Sequence, residues 1–226
     1  MKTQVASGIR ILPISYSFEV EDAVINAQRE VFDHFGLTIN QEVDPIPHGV
    51  WLGKKSLDIL DNHHDKFDMV VFFDLDCIPL TKHLYNHLVS KTILNNNSVC
   101  GIEQTCESNQ SNGHIYAGPA CLAIPKSRLQ EVYRFYQRLS FVEDKYSDVA
   151  QRFTYDCESI GIPMDFLRVT SCADPRWRVG KTDTMFGVGT TYDKVIYHHF
   201  LIGREPWRRP DFVRVCNNVI RSDSQR

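Results

Sequence analysis

Nothing in this 226-residue sequence is long and apolar enough to cross a membrane. No hydrophobic run reaches the ~18–20 residues that a helical span needs. The first residues, MKTQVASGIRILPISYS, hold one early lysine but no long apolar stretch, so no secretory leader is expected. The seven cysteines include no C-x-x-C pair, and several stand inside apolar runs. That excludes an obvious zinc ribbon and argues against a disulfide framework. Free thiols in a reducing, cytoplasmic compartment are the expectation. Internal repeats, low-complexity tracts and heptads are also lacking. There is no overall basic excess: the net charge is −3, so tight nonspecific nucleic-acid binding is not expected.

What charge there is lies unevenly. Residues 1–167 carry 14 Lys/Arg against 22 Asp/Glu, and residues 168–226 carry 11 against six. Hydrophobic residues make up 42% and charged residues 23%, the balance of an ordinary globular chain. The length suits one domain over 1–226, with 208–226 as a basic C-terminal extension.

Strand-like and helix-like stretches alternate. Residues 9–14 (IRILPI) read as a strand, with Pro13 marking an edge or an end. Residues 19–35 place Val20, Ala23, Val24, Ala27, Val31 and Phe32 at helical spacing, with Gly36 as C-cap. LTINQEV reads as a short strand, KKSLDILDNHH as a helix and MVVFF as a buried strand. TKHLYNHLVSKTIL reads as a helix capped by Thr81. SVCGIEQ is a strand, HIYAGPACLAIP a strand broken at Gly118-Pro119, and KSRLQEVYRFYQRLSF a helix. Beyond residue 142 the pattern is mixed. Such alternation predicts an α/β fold with a mainly parallel central sheet flanked by helices. Ligands of such sheets bind at the carboxyl ends of strands.

At one such end the run KFDMVVFFDLDCIPL (66–80) finishes on Asp74 and Asp76. A D-x-D triplet suits an ordinary turn after a strand. It also suits a hard divalent cation, Mn²⁺ or Mg²⁺, which takes oxygen ligands. The stretch resembles two families. One is the haloacid-dehalogenase phosphatases, whose FDLDGT-like motif closes the first strand; here Cys77-Ile78 replaces Gly-Thr and roughly seventy residues precede the motif. The other is the nucleotide-sugar glycosyltransferases of the GT-A fold, which carry D-x-D in mid-domain after a Rossmann-like nucleotide-binding half.

A second segment, VIYHHFLIGREPW (195–207), is similar to the H-F-x-G-x-x-K-P-W segment of the glycogenin-like retaining glycosyltransferases. One extra residue stands between Phe200 and Gly203, and Glu205 stands where the family has lysine. The resemblance implies His199 as a third metal ligand beside Asp74 and Asp76, with His198 facing the other way. It implies Gly203 and the neighbouring Arg204 at the donor diphosphate, and Asp74 also at the ribose or sugar. GKKSLDIL resembles the family's lysine-bearing helix, which points to Lys54 and Lys55. HIYAGPACLAIPKS is similar to the strand lining the sugar site, which points to Ala117, Gly118 and Pro119. Tyr16, following the first strand, is a candidate to stack on the nucleotide base, an ordinary buried tyrosine being the other reading.

The function implied is metal-dependent transfer of a sugar from a nucleotide-diphospho-sugar, a UDP-sugar, to a hydroxyl acceptor with retention. An inverting enzyme would need a general base, for which Asp148 in YSDVAQRF stands by resemblance. The alternatives are a D-x-D phosphatase and a non-catalytic nucleotide- or glycan-binding module. Residues 204–226 carry six arginines against three acids, which raises an anionic acceptor: a phosphorylated glycan, lipid head groups or a nucleic acid.

Overall fold

The structure, a computed structural model, describes residues 1–17, 22–43, 59–60, 62–63, 65–105, 113–138 and 149–225. In chain order the strands are β1 (Gln4–Ala6), β2 (Ile9–Ser17), β3 (Asn40–Val43), β4 (Met69–Asp74), β5 (Cys77–Pro79), β6 (Val99–Thr105), β7 (Ile115–Pro125), β8 (Met164–Leu167), β9 (Val169–Arg178), β10 (Met185–Tyr192) and β11 (Ile196–His198). The helices are α1 (Asp22–His34), α2 (Leu84–Lys91), α3 (Lys126–Arg138), α4 (Val149–Ser159) and α5 (Arg209–Asp223).

Among the described residues these strands form two sheets. The larger has seven strands in the order β1-β2-β4-β7-β6-β8, with β3 also on β2. Strands β2, β3, β4, β6 and β8 run one way; β1 and β7 run against them. The predicted mainly parallel sheet flanked by helices is therefore present. The smaller sheet has four strands, β5-β11-β10-β9, all antiparallel.

β4 shows why its apolar run is continuous. Successive side chains point to opposite faces. Met69, Val71 and Phe73 enter one core with Phe32 and Tyr85, while Val70 and Phe72 enter the other with Leu122 and Phe153. A strand buried on both faces has no room for a polar residue until it ends. Each such side chain contributes about 1.5–3 kcal/mol by leaving water.

Some expectations shift in detail. Pro13 is inside β2, not at its end. β1 covers β2 at residues 9–11 and β3 covers it from Ile14, so Pro13 falls between the two partners. Its carbonyl accepts from Asn40 Nδ2 at 2.8 Å. β7 runs unbroken through Gly118-Pro119, its irregularity absorbed by a register shift opposite Gly101/Ile102. Thr81 does not cap α2: the N-cap is His83, whose backbone N–H bonds to Thr81 Oγ1 at 3.3 Å. Gly36 does end α1. It has φ +66°, and Leu37 N–H closes onto Phe32 O at 2.8 Å, the glycine-terminated helix end.

The six cysteines among the described residues are free. Burial pushes the thiols of Cys77, Cys100, Cys121 and Cys157 up, which keeps them unreactive. Residues 209–223, expected as part of an extension, form α5. That helix buries Phe212 and Cys216 against Val24, Ala27 and Val31 of α1. No described helix is long and apolar enough to cross a membrane.

Candidate metal centre

The centre forms where the two sheets meet. β4 ends at Asp74, the chain turns through Leu75 and Asp76, and Cys77 begins β5 in the other sheet. Leu75 is buried in the cluster with Ile78 and Phe212. The residues on either side of it are thereby left to carry the two carboxylates. β5 pairs with β11 so that Cys77 faces His198 across the ladder. That register sets His198 Nε2 3.0 Å from Asp76 Oδ1 and 3.8 Å from Asp74 Oδ2. One ligand atom from each of Asp74, Asp76 and His198 lies within 4.8 Å of the others.

The three differ in exposure. The Asp74 side chain is 42% exposed, those of Asp76 and His198 only 9% and 4%. Burial alone would push the Asp76 carboxyl up. The adjoining His198 imidazole, helped by a backbone hydrogen bond and by His199, outweighs it and holds that carboxyl below the usual carboxylate range. A buried anion held beside an imidazole, with a half-exposed carboxylate at the rim, gives a site that is closed behind and open in front.

The histidine doublet alternates as expected, but the faces are exchanged. His198, not His199, lies with the aspartates. β11 ends at His198, and Tyr197 and His199 share the opposite side, where Tyr197 Oη and His199 Nδ1 are hydrogen bonded at 2.7 Å. What His199 gives Asp76 is its backbone N–H, donated to the Asp76 carbonyl at 2.9 Å. The sequence match to His-Phe pointed to the second histidine. The deciding feature is the register of two three-residue strands, which no local pattern reveals.

The other candidates fall as follows. Tyr16 is next to Asp74 across the β2–β4 ladder, its ring stacked on Phe72 at 6.4 Å. Lys54, Lys55 and Asp148 lie outside the described residues. Ala117 and Gly118 are buried within β7. The Ala117 N–H donates to Thr154 Oγ1, and a Cβ at Gly118 would strike Ile102 and Gln104. They present no open surface; Pro119 is partly exposed. A Cβ at Gly203 would meet no atom within 4 Å, so internal packing does not demand a glycine there.

Leu201, beside the extra residue of this segment, has φ +77°, and Arg204 and Glu205 N–H groups both close onto its carbonyl. Arg204 is exposed, with no ion pair among the described residues. Glu205, in the place of the family's lysine, pairs with Arg208 and reaches Arg176 at 3.7 Å. Trp207 stands 71% exposed.

Sequence reading missed Gln28 and Gln41. Gln28 is fully buried, and its side-chain amide bonds the backbone of the Asp74–Cys77 turn. Its signal was available: Gln28 occupies the apolar stripe of α1 with Val24, Ala27 and Val31, where an uncharged polar residue needs a partner.

No protein-family model matches the sequence, and no curated protein does. Solved structures do resemble it. A glycosyltransferase involved in the glycosylation of the major capsid of PBCV-1 superposes with a TM-score of 0.45 and 12% identity, over 70% of this chain and 80% of that one. Drosophila β-1,4-galactosyltransferase 7, solved with manganese, UDP-Gal and xylobiose, gives 0.48 and 9%, over 86% and 73%. A 4-diphosphocytidyl-2C-methyl-D-erythritol synthase from Anaerococcus prevotii gives 0.44 and 11%, over 70% and 88%. At such values the likeness assigns no activity to this chain.

Proposed function

We propose that the protein is a metal-dependent glycosyltransferase, one catalytic domain over 1–226. It moves a sugar from a nucleotide-diphospho-sugar, a UDP-sugar, to a hydroxyl acceptor. The observation that carries this is the convergence of Asp74, Asp76 and His198 at the carboxyl end of β4. Two hard carboxylates and one imidazole suit Mn²⁺ or Mg²⁺, the imidazole favouring Mn²⁺. A divalent ion held there would act as a Lewis acid toward the charge on the leaving diphosphate.

The remaining roles belong to side chains. Asp76, fixed by His198, keeps its charge where burial would otherwise remove it. Asp74, half-exposed, would meet the ribose or sugar as well. Tyr16, beside Asp74 at the end of β2, would stack on the base. Gly203 leaves room for close approach of a diphosphate to the backbone. Arg204, with Lys54 and Lys55, would give charge-assisted hydrogen bonds to its oxygens. Retention follows the likeness of the 195–207 segment; an inverting course would assign Asp148 as the base. An acceptor bearing negative charge would meet Arg204 rather than Arg208, whose charge is matched internally.

Titration calorimetry of UDP with and without Mn²⁺ tests the reading. Metal-dependent UDP binding, together with hydrolysis of one member of a UDP-sugar panel, is expected. UDP binding indifferent to Mn²⁺ would point to the D-x-D phosphatase instead. Metal-dependent binding with no turnover of any sugar nucleotide would leave a binding module.

A further inference from the structure

The amide of Gln28 straddles the seam between the two sheets. Its Nε2 donates to the carbonyl of Asp74 at 2.8 Å and to that of Cys77 at 2.9 Å. The first is the last residue of β4 and the second the first residue of β5. Carbonyl oxygens only accept, so the nitrogen of Gln28 must face them and its oxygen must face away. There Oε1 accepts from Gln41 Nε2 at 2.9 Å, and the same Gln41 nitrogen donates to the carbonyl of Ile25 at 2.8 Å. Gln41 therefore fixes the orientation of Gln28, and Gln28 fixes the spacing of two carbonyls three residues apart. Cys77 is also the ladder partner of His198. One amide thus governs the distance between the aspartates at the end of the large sheet and the imidazole carried by the small one.

We propose that Gln28, oriented by Gln41, is a positioning residue for the metal centre. It acts through the backbone of the Asp74–Cys77 turn, not by touching the ion, and the proposal rests on the reading of Asp74, Asp76 and His198 as that centre. A glutamine that only filled the core would change stability and leave the metal affinity of the folded protein as it was.

The test is a Mn²⁺ titration of the full chain, read from the electron paramagnetic resonance of the free ion, with thermal unfolding followed in parallel. Gln28→Met keeps the shape and removes both donors. It is expected to remain folded and to bind Mn²⁺ about 10-fold more weakly, the scale at which partners that orient metal ligands act. Gln41→Met should lose less. In the Gln28→Met background it should lose nothing further, because its effect passes through Gln28. A parent protein that fails to bind Mn²⁺ removes the centre itself. A parent that binds, with Gln28→Met binding equally well, overturns the positioning role and leaves the centre standing. Independent, additive losses overturn the relay. Should Gln28→Met fail to fold, Gln41→Met decides: unchanged Mn²⁺ affinity there overturns the proposal.

Discussion

The two sheets are built differently. The large sheet sets β4 between β2 and β7, with both faces of β4 sealed by apolar cores. The small sheet has two strands of three residues, and its β9 edge shows exposed residues along most of its length. The carboxylates come from the first and the imidazole from the second. Rigid packing fixes where Asp74 and Asp76 start, whereas His198 depends on a short ladder and a few hydrogen bonds. The centre should therefore be most sensitive to loss of a carboxylate, and next to anything that loosens the ladder.

Asp76→Asn should give the largest effect. It keeps the shape and removes the buried charge, and Mn²⁺ affinity should fall by on the order of 100-fold or more, beyond what loss of an orienting partner costs. Circular dichroism should still report a folded chain. Full metal binding in this variant would sever the large sheet from the site altogether.

His198→Ala and His199→Ala come next, and their ranking tests the exchanged faces. His198→Ala should weaken Mn²⁺ by about 10–100-fold. His199→Ala should leave Mn²⁺ affinity nearly unchanged, since the group it offers Asp76 is a backbone N–H that alanine retains. It should still cost about 1–3 kcal/mol of stability, because a buried ring is deleted. A larger metal defect in His199→Ala would return the ligand role to that residue.

The same contrast marks what the sequence discloses. β4 is legible because a strand buried on both faces must be apolar throughout. α1 is legible from its stripe, and Gly36 from the left-handed residue that ends it. The small sheet is not legible. Three-residue strands such as β5 and β11 carry no period, and their pairing is a contact between residues 77–79 and 196–198, far apart in the chain. Both aspartates could thus be placed, while the choice between His198 and His199 depended on a register set by tertiary structure. Gln28 is hidden for a related reason: its partners are main-chain carbonyls, which have no sequence signature.

The ladder is held at its far end by Asp193, and this gives a pH test. Asp193 and Lys194 both have positive φ in the turn joining β10 to β11, a hairpin geometry that Asp and Asn tolerate. The Asp193 carboxylate bonds His87 of α2 at 2.8 Å and the Arg168 N–H at 2.8 Å, with Lys91 at 3.7 Å. Burial pushes this carboxyl up, but these partners win and hold it below 3.8, its ordinary value. A carboxyl lowered on folding adds stability above its unfolded pKa and loses that stability as pH falls through the folded one. Asp193→Asn keeps the turn and should cost about 1–2 kcal/mol near pH 7. Thermal melts should show the deficit beginning to shrink below about pH 4, where the carboxyl of the unfolded parent takes up its proton, and closing only as the folded carboxyl follows at lower pH. A deficit that grows on acidification would give the carboxyl the opposite role.

Arg208 should show the smallest effect. Its guanidinium pairs with Glu205 and lies 3.7 Å from Asp174; Arg176 bonds Asp174 at 3.0 Å and reaches Glu205 at 3.7 Å. Two cations and two anions thus close a ring that sums to zero and lays the 205–208 turn on β9. The basic count of the C-terminal stretch overstates the charge available to a partner, because Arg208 is matched here and Arg214 pairs with Asp211. Ion pairs near the surface contribute about 0–1 kcal/mol each, so Arg208→Ala should lower stability by no more than that. The difference from the parent should fade in about 0.5 M NaCl, where the screening length is only a few ångströms. Mn²⁺ affinity should not move, since the ring holds the outer edge of the small sheet and the centre uses the inner one. A metal defect in Arg208→Ala approaching that of His198→Ala would mean the small sheet transmits strain from β9 across β10 to β11. The ladder's weakness would then lie in the sheet as a whole rather than in the β5–β11 pairing.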